Sequence, residues 1–92
     1  MESMIQKKKK CYICLLWGDD LERHHCIHGK ANRRQAEKYG LWVWLCPECY
    51  RRVHSAAGHD LDVELKKTAQ SVWEASQGDT DAFRRVFGKS WL

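Results

Sequence analysis

Two Cys-x-x-Cys pairs, Cys11/Cys14 and Cys46/Cys49, limit what this chain can fold into more than any other feature. Two thiolates at that spacing reach one tetrahedral zinc without strain, and two such pairs complete a four-sulfur shell. The predicted structural zinc therefore closes residues 15–45 into a loop and ties the first knuckle to whatever begins at the second. A chain of 92 residues has a small core and gains from such a staple. There are five cysteines, the spacing is that of a metal site, and no apolar run follows the basic start as in a secretory signal. Reduced thiols and a cytoplasmic location are expected, rather than disulfides.

The predicted organisation is one domain over residues 11–92, preceded by a flexible basic arm, residues 1–10, with the run Lys7–Lys10. Leu21–Ile27 reads as a strand, which sends His24 and His25 to opposite faces. His28–Ala31 reads as a loop. Asn32 is expected to cap a helix over Arg33–Tyr39, closed by Gly40. Leu41–Leu45 is aromatic and β-branched and reads as a second strand, antiparallel to the first. Pro47 suits the first position of a helix reaching about Ala57, with Tyr50 and His54 on one face. Asp60 then opens a helix to about Ser76, and Asp79 or Thr80 opens another that ends at Gly88. The apolar positions Leu61, Leu65, Ala69, Val72 and Trp73, then Ala82, Phe83, Val86 and Phe87, recur at helical spacing and read as core. Trp91 and Leu92 are expected to fold back on it. The class is α+β, with no apolar run long enough for a membrane span.

His24, His25 and His54 form a constellation suited to phosphodiester hydrolysis. One imidazole has to keep a nitrogen free to take a proton from water. The other, with the helix histidine, is able to hold a divalent ion beside the phosphate. Lys and Arg number 16 against 12 acidic residues, for a net charge of +4. The adjacent pairs Arg33/Arg34 and Arg51/Arg52 fall beside these histidines in the sequence. Phosphate-backbone contact to DNA with little sequence preference is expected, since no base-reading motif is present.

His24-His25, Asn32-Arg33, the run Glu37 to Cys49 and His54 together resemble the HNH (His-Me finger) nucleases. The likeness is to small phage and prophage members with a four-cysteine zinc, including the recombination-enhancement nuclease. It covers Cys11 to His54 and, more loosely, the last residues from Phe87. The resemblance implies a zinc-stapled ββα-metal core with C-terminal helices and a metal-dependent DNA endonuclease or nickase. It implies His25 as general base, His24 and His54 at a catalytic Mg2+, Mn2+, Ni2+ or Zn2+, and Asn32 steadying the base. It also implies a 5′-phosphate product; a phage or recombination protein partner stays open. The chain departs from the pattern at Tyr50, where the family has a histidine, and at Cys26 and His28. Tyr50 is a poor ligand at neutral pH, since a phenol titrates near 10. Either the site is weakened, leaving a catalytically impaired module that binds DNA or protein, or another group such as His28 or Cys26 substitutes.

Overall fold

Alternating side chains and a shared loop–helix connection bring two short strands together. In the computed structural model, which describes all 92 residues, β1 (Glu22–His25) pairs antiparallel with β2 (Trp42–Leu45). Arg23 stands opposite Trp44, His24 opposite Val43 and His25 opposite Trp42. His24, Val43 and Leu45 are buried, whereas Arg23 lies on the other face with its guanidinium 3.8 Å from the centre of the Trp42 ring. The first strand is shorter than Leu21–Ile27 because the chain bends after His25. Cys26 and Ile27 turn into the core, and Gly29 takes φ 105°, a value open to glycine.

The connecting helix α1 (Lys30–Tyr39) starts at Gly29 and not at Asn32. Asn32 lies in its first turn and donates instead to the Phe87 carbonyl, 3.2 Å away. Gly40 ends α1 in the left-handed region, as expected. The next helix, α2 (Pro47–Val53), stops before Ala57. The reason lies at Gly58, where a side chain would stand 1.8 Å from the Arg52 carbonyl oxygen; the chain doubles back there through a short 3-10 turn, Ala56–Gly58. Helices α3 (His59–Ser76) and α4 (Thr80–Phe87) complete an α+β fold. Asp60 falls inside the first turn of α3, while Asp79 caps α4 by accepting from the Ala82 amide.

One core joins both halves. It runs from Cys11, Val43 and Leu45 through Ala36 and Leu41 to Leu65, Ala69, Trp73, Phe83 and Phe87. Trp91 is only partly covered and Leu92 is exposed, so the expected C-terminal plug is limited to Trp91, whose amide bonds Gln70 Oε1.

Residues 1–6 are not a free arm. Met4 N–H donates to the Gly40 carbonyl and the Ser3 hydroxyl to that of Trp42, and Gln6 Oε1 accepts from Trp44 N–H. The outer edge of β2 would otherwise present unpaired backbone groups, and this segment satisfies them without forming a ladder. Lys7, Lys8 and Lys9 remain exposed. No helix is long and apolar enough to cross a membrane.

Candidate metal and phosphate site

The four thiols expected to share a zinc do converge. The sulfur atoms of Cys11, Cys14, Cys46 and Cys49 all lie within 4.8 Å of one another. Pro47 starts α2 immediately after Cys46, so the second knuckle is the first turn of that helix. In the first knuckle Leu15 adopts φ 64°, a strained value for a branched residue, and its amide bonds the Cys11 carbonyl. Burial opposes ionisation of Cys11, but the backbone N–H groups of Cys46, Cys14 and Ile13 outweigh it and bring the thiol down to about 6. Burial and the neighbouring thiols push Cys49 up. Thiols crowded in this way favour a cation that lets all of them ionise, and a soft, tetrahedral donor set fits zinc.

A second cluster lies beside the sheet. His24, from β1, projects inward and is 2% exposed. Its ring centre is 5.1 Å from that of His54, which caps the C-terminus of α2, and 6.1 Å from that of His28, in the turn after β1. His28 and His54 stand 6.0 Å apart. Tyr50 is packed among them, 4.4 Å from the His54 ring, so the one-turn spacing expected for these two residues holds.

The ring nitrogens are not equivalent. His54 Nδ1 is 2.8 Å from the Tyr50 carbonyl oxygen, and a backbone carbonyl only accepts, so that nitrogen carries a proton and in the neutral ring Nε2 is the atom with the lone pair. His28 Nε2 is 3.0 Å from Asp62 Oδ1. Asp62, on α3, also meets Lys66 at 2.8 Å. Burial would raise the Asp62 carboxyl, but hydrogen bonds from Lys66 and His28 outweigh it and keep it below the usual range. An ionised Asp62 accepts from His28 Nε2–H and leaves Nδ1 of that ring free. His24 Nε2 is buried with no partner. Burial, helped by the neighbouring His54 and His28, lowers the His24 imidazole to about 4 and keeps it neutral.

His25 faces the other way, as adjacent strand residues do. Its Nε2 is 2.9 Å from Glu37 Oε1, on α1. Burial works against the Glu37 carboxylate, but hydrogen bonds from His25 and from Arg23 bring it down to about 2. Glu37 is thus ionised and fixes one nitrogen of His25, leaving Nδ1 for a proton. Asn32, expected beside His25, is bonded to Phe87 instead, and the side chain that meets His25 is Glu37.

His24, His25, His28, Tyr50 and His54, with Arg23 and Arg33, line one cavity of about 150 Å³. No carboxylate is in its lining, so the hollow suits an anion. Arg34, Arg51 and Arg52 are exposed but do not border it, and Arg23 does so unexpectedly. Cys26 is fully buried, its thiol pushed up to about 12 by burial, and it does not line the cavity. A larger hollow of about 460 Å³ is lined by Ser3, Gln6, Arg23, Trp42 and Trp44, among others, but carries no imidazole or thiol. Neither Glu37 nor Asp62 carried a local signal in the sequence that pairs it with a histidine. No protein-family model, curated protein or solved structure matches the chain.

Proposed function

We propose that this protein is a metal-dependent DNA endonuclease or nickase of the HNH type, with β1, β2 and α2 as its ββα-metal core. The observation that carries the reading is the division of labour between adjacent residues of β1. His24 enters a cluster of imidazoles, while His25 is set apart and held by a carboxylate. Both border the same basic cavity.

His25 is the general base. Glu37 accepts the Nε2 proton and orients the ring, so Nδ1 is the atom that takes a proton from water. The water oxygen forms a bond to phosphorus as the bond to the leaving ester oxygen breaks, and that oxygen takes a proton from solvent. No electron transfer is involved. Arg23 and Arg33 bind and orient the phosphate at the rim. His24 and His54 supply imidazole nitrogens for a divalent ion, which when bound offsets charge on the phosphate and on the departing oxygen. A nuclease that contacts only backbone and sugar has little sequence preference, which fits a rim of arginines.

Tyr50 favours one other reading, a DNA- or protein-binding module on the same fold whose catalysis is impaired. Plasmid nicking with Mg2+, Mn2+, Ni2+ or Zn2+ separates the two. Wild type is expected to nick with at least one ion, and His25→Ala to lose about 100-fold or more of that rate, the contribution of a positioned base. Nicking absent with every ion but restored by Tyr50→His supports the impaired module. Nicking undiminished in His25→Ala removes that residue from the reaction.

A further inference from the structure

We infer that His28 is the third ligand of the divalent ion held by His24 and His54, and that Asp62 orients it from α3. The resulting shell of three imidazoles selects a borderline ion such as zinc or nickel over magnesium. The inference rests on the proposed use of this cavity as an ion site, and it explains how the site does without a histidine at position 50.

Several independent features converge on it. Imidazoles sharing one tetrahedral ion, each nitrogen about 2.0–2.1 Å from it, have ring centres roughly 5–5.5 Å apart. His24 and His54 stand at 5.1 Å, and His28 is 6.0 and 6.1 Å from them. The ring nitrogens of the three do not all lie within 4.8 Å of one another as the four sulfurs do, so His28, whose side chain is 37% exposed, has to turn inward for the ion to bind.

The outer partners match those of metal-bound histidines, which donate the nitrogen that does not ligate to a carboxylate or a backbone carbonyl. His28 has Asp62 for this and His54 has the Tyr50 carbonyl. Asp62 is itself buried and fixed by Lys66, so it is a rigid acceptor. The remaining ring, His24, is 98% buried by the complement of its 2% exposure and has an Nε2 with no hydrogen-bond partner. A buried polar atom left so is costly unless something binds it. Tyr50 stays beside this shell with its ring packed against His54. Three imidazole nitrogens and no carboxylate in the lining favour zinc or nickel, whereas magnesium prefers oxygen ligands.

The test uses the full chain with its thiol site already loaded with one zinc. A second equivalent of Zn2+ is added and followed by calorimetry and by nitrogen-15 NMR of the imidazoles. The expected result is saturable binding in which His24, His28 and His54 shift, His28 through Nδ1, while exposed His59 does not; excess Mg2+ shifts none of them. Asp62→Asn is expected to weaken this equivalent by about 10–100-fold, the usual effect of removing an outer partner, and His28→Ala by about 100-fold or more. His59→Ala should leave it unchanged. Unmoved His28 signals, or wild-type affinity in His28→Ala, would overturn the assignment. Plasmid nicking on the same samples keeps the two readings apart. Ion binding as described without nicking upholds the three-imidazole shell and removes the nuclease. Nicking with unaltered ion affinity in His28→Ala removes His28 from the shell and leaves the nuclease standing.

Discussion

His24 concentrates the chemistry of the site in one side chain. It is buried, neutral and without a partner for Nε2, and its imidazole sits at about 4 against an ordinary 6.5. A group whose value is lower in the folded than in the unfolded chain binds fewer protons when folded, so stability rises with pH between the two values. The contribution is complete above pH 6.5 and is lost as pH falls toward 4. With the thiol site loaded and the imidazole cavity free of added ions, lowering pH from 7.5 to 5.5 should cost about 1 kcal/mol through this residue alone. His24→Gln should flatten urea-unfolding stability over that range by the same amount. Equal slopes for the two proteins would mean that His24 is not held neutral by its surroundings. His25, one residue away, differs because the strand turns it toward Glu37 and not into the core.

At the scale of elements, β2 is the piece others are built against. Its inner edge pairs with β1, and its outer edge is closed by Ser3 and Gln6 together with Tyr12, whose amide bonds the Trp44 carbonyl, while Met4 is tied to Gly40 just before the strand. Gly40 is where this depends on a single residue. It has φ 70°, and a Cβ there would lie 2.3 Å from the Glu2 carbonyl oxygen. Gly40→Ala therefore both strains the end of α1 and forces the N-terminal segment off β2. A left-handed alanine costs about 1–2 kcal/mol, and the displaced contacts add to it. The variant should melt at lower temperature, with faster amide exchange at Trp44 and a red-shifted tryptophan emission. Unchanged exchange at Trp44 would show that the segment tolerates the methyl group.

For the whole molecule, the two C-terminal helices do more than cover the core. Trp73, Phe83 and Phe87 pack edge-on or tilted at ring distances of 4.6–6.2 Å, and Tyr39 of α1 joins them. That packing fixes α3 against the sheet unit, and α3 carries Asp62, the partner of His28. If the three imidazoles hold an ion as proposed, stability and ion binding are thereby linked. Phe83→Ala, at a fully buried position, should lose about 3–5 kcal/mol. Its second zinc equivalent should also bind more weakly than in wild type, even where calorimetry is done well below the melting temperature. Weakened folding with unaltered ion affinity would indicate that Asp62 is positioned by its own helix alone.

Much of the architecture was legible because its causes are local. Cys-x-x-Cys spacing brought the thiols into pairs, the period of two put His24 and His25 on opposite faces, and Gly40, Pro47, Asp79 and Gly88 marked helix ends through their own backbone chemistry. What depended on packing between distant segments was not. Asn32 looked like a cap, but a glycine with positive φ began α1 and freed its amide for Phe87. The lysine-rich start looked free, yet the open edge of β2 drew residues 1–6 onto it. By itself the sequence determined that four thiols meet and that a histidine pair straddles one strand. Only the tertiary structure decided that Glu37 faces His25 and that Asp62 reaches His28. Those contacts join residues far apart in the chain, and nothing in local propensity encodes which carboxylate a fold delivers to which imidazole.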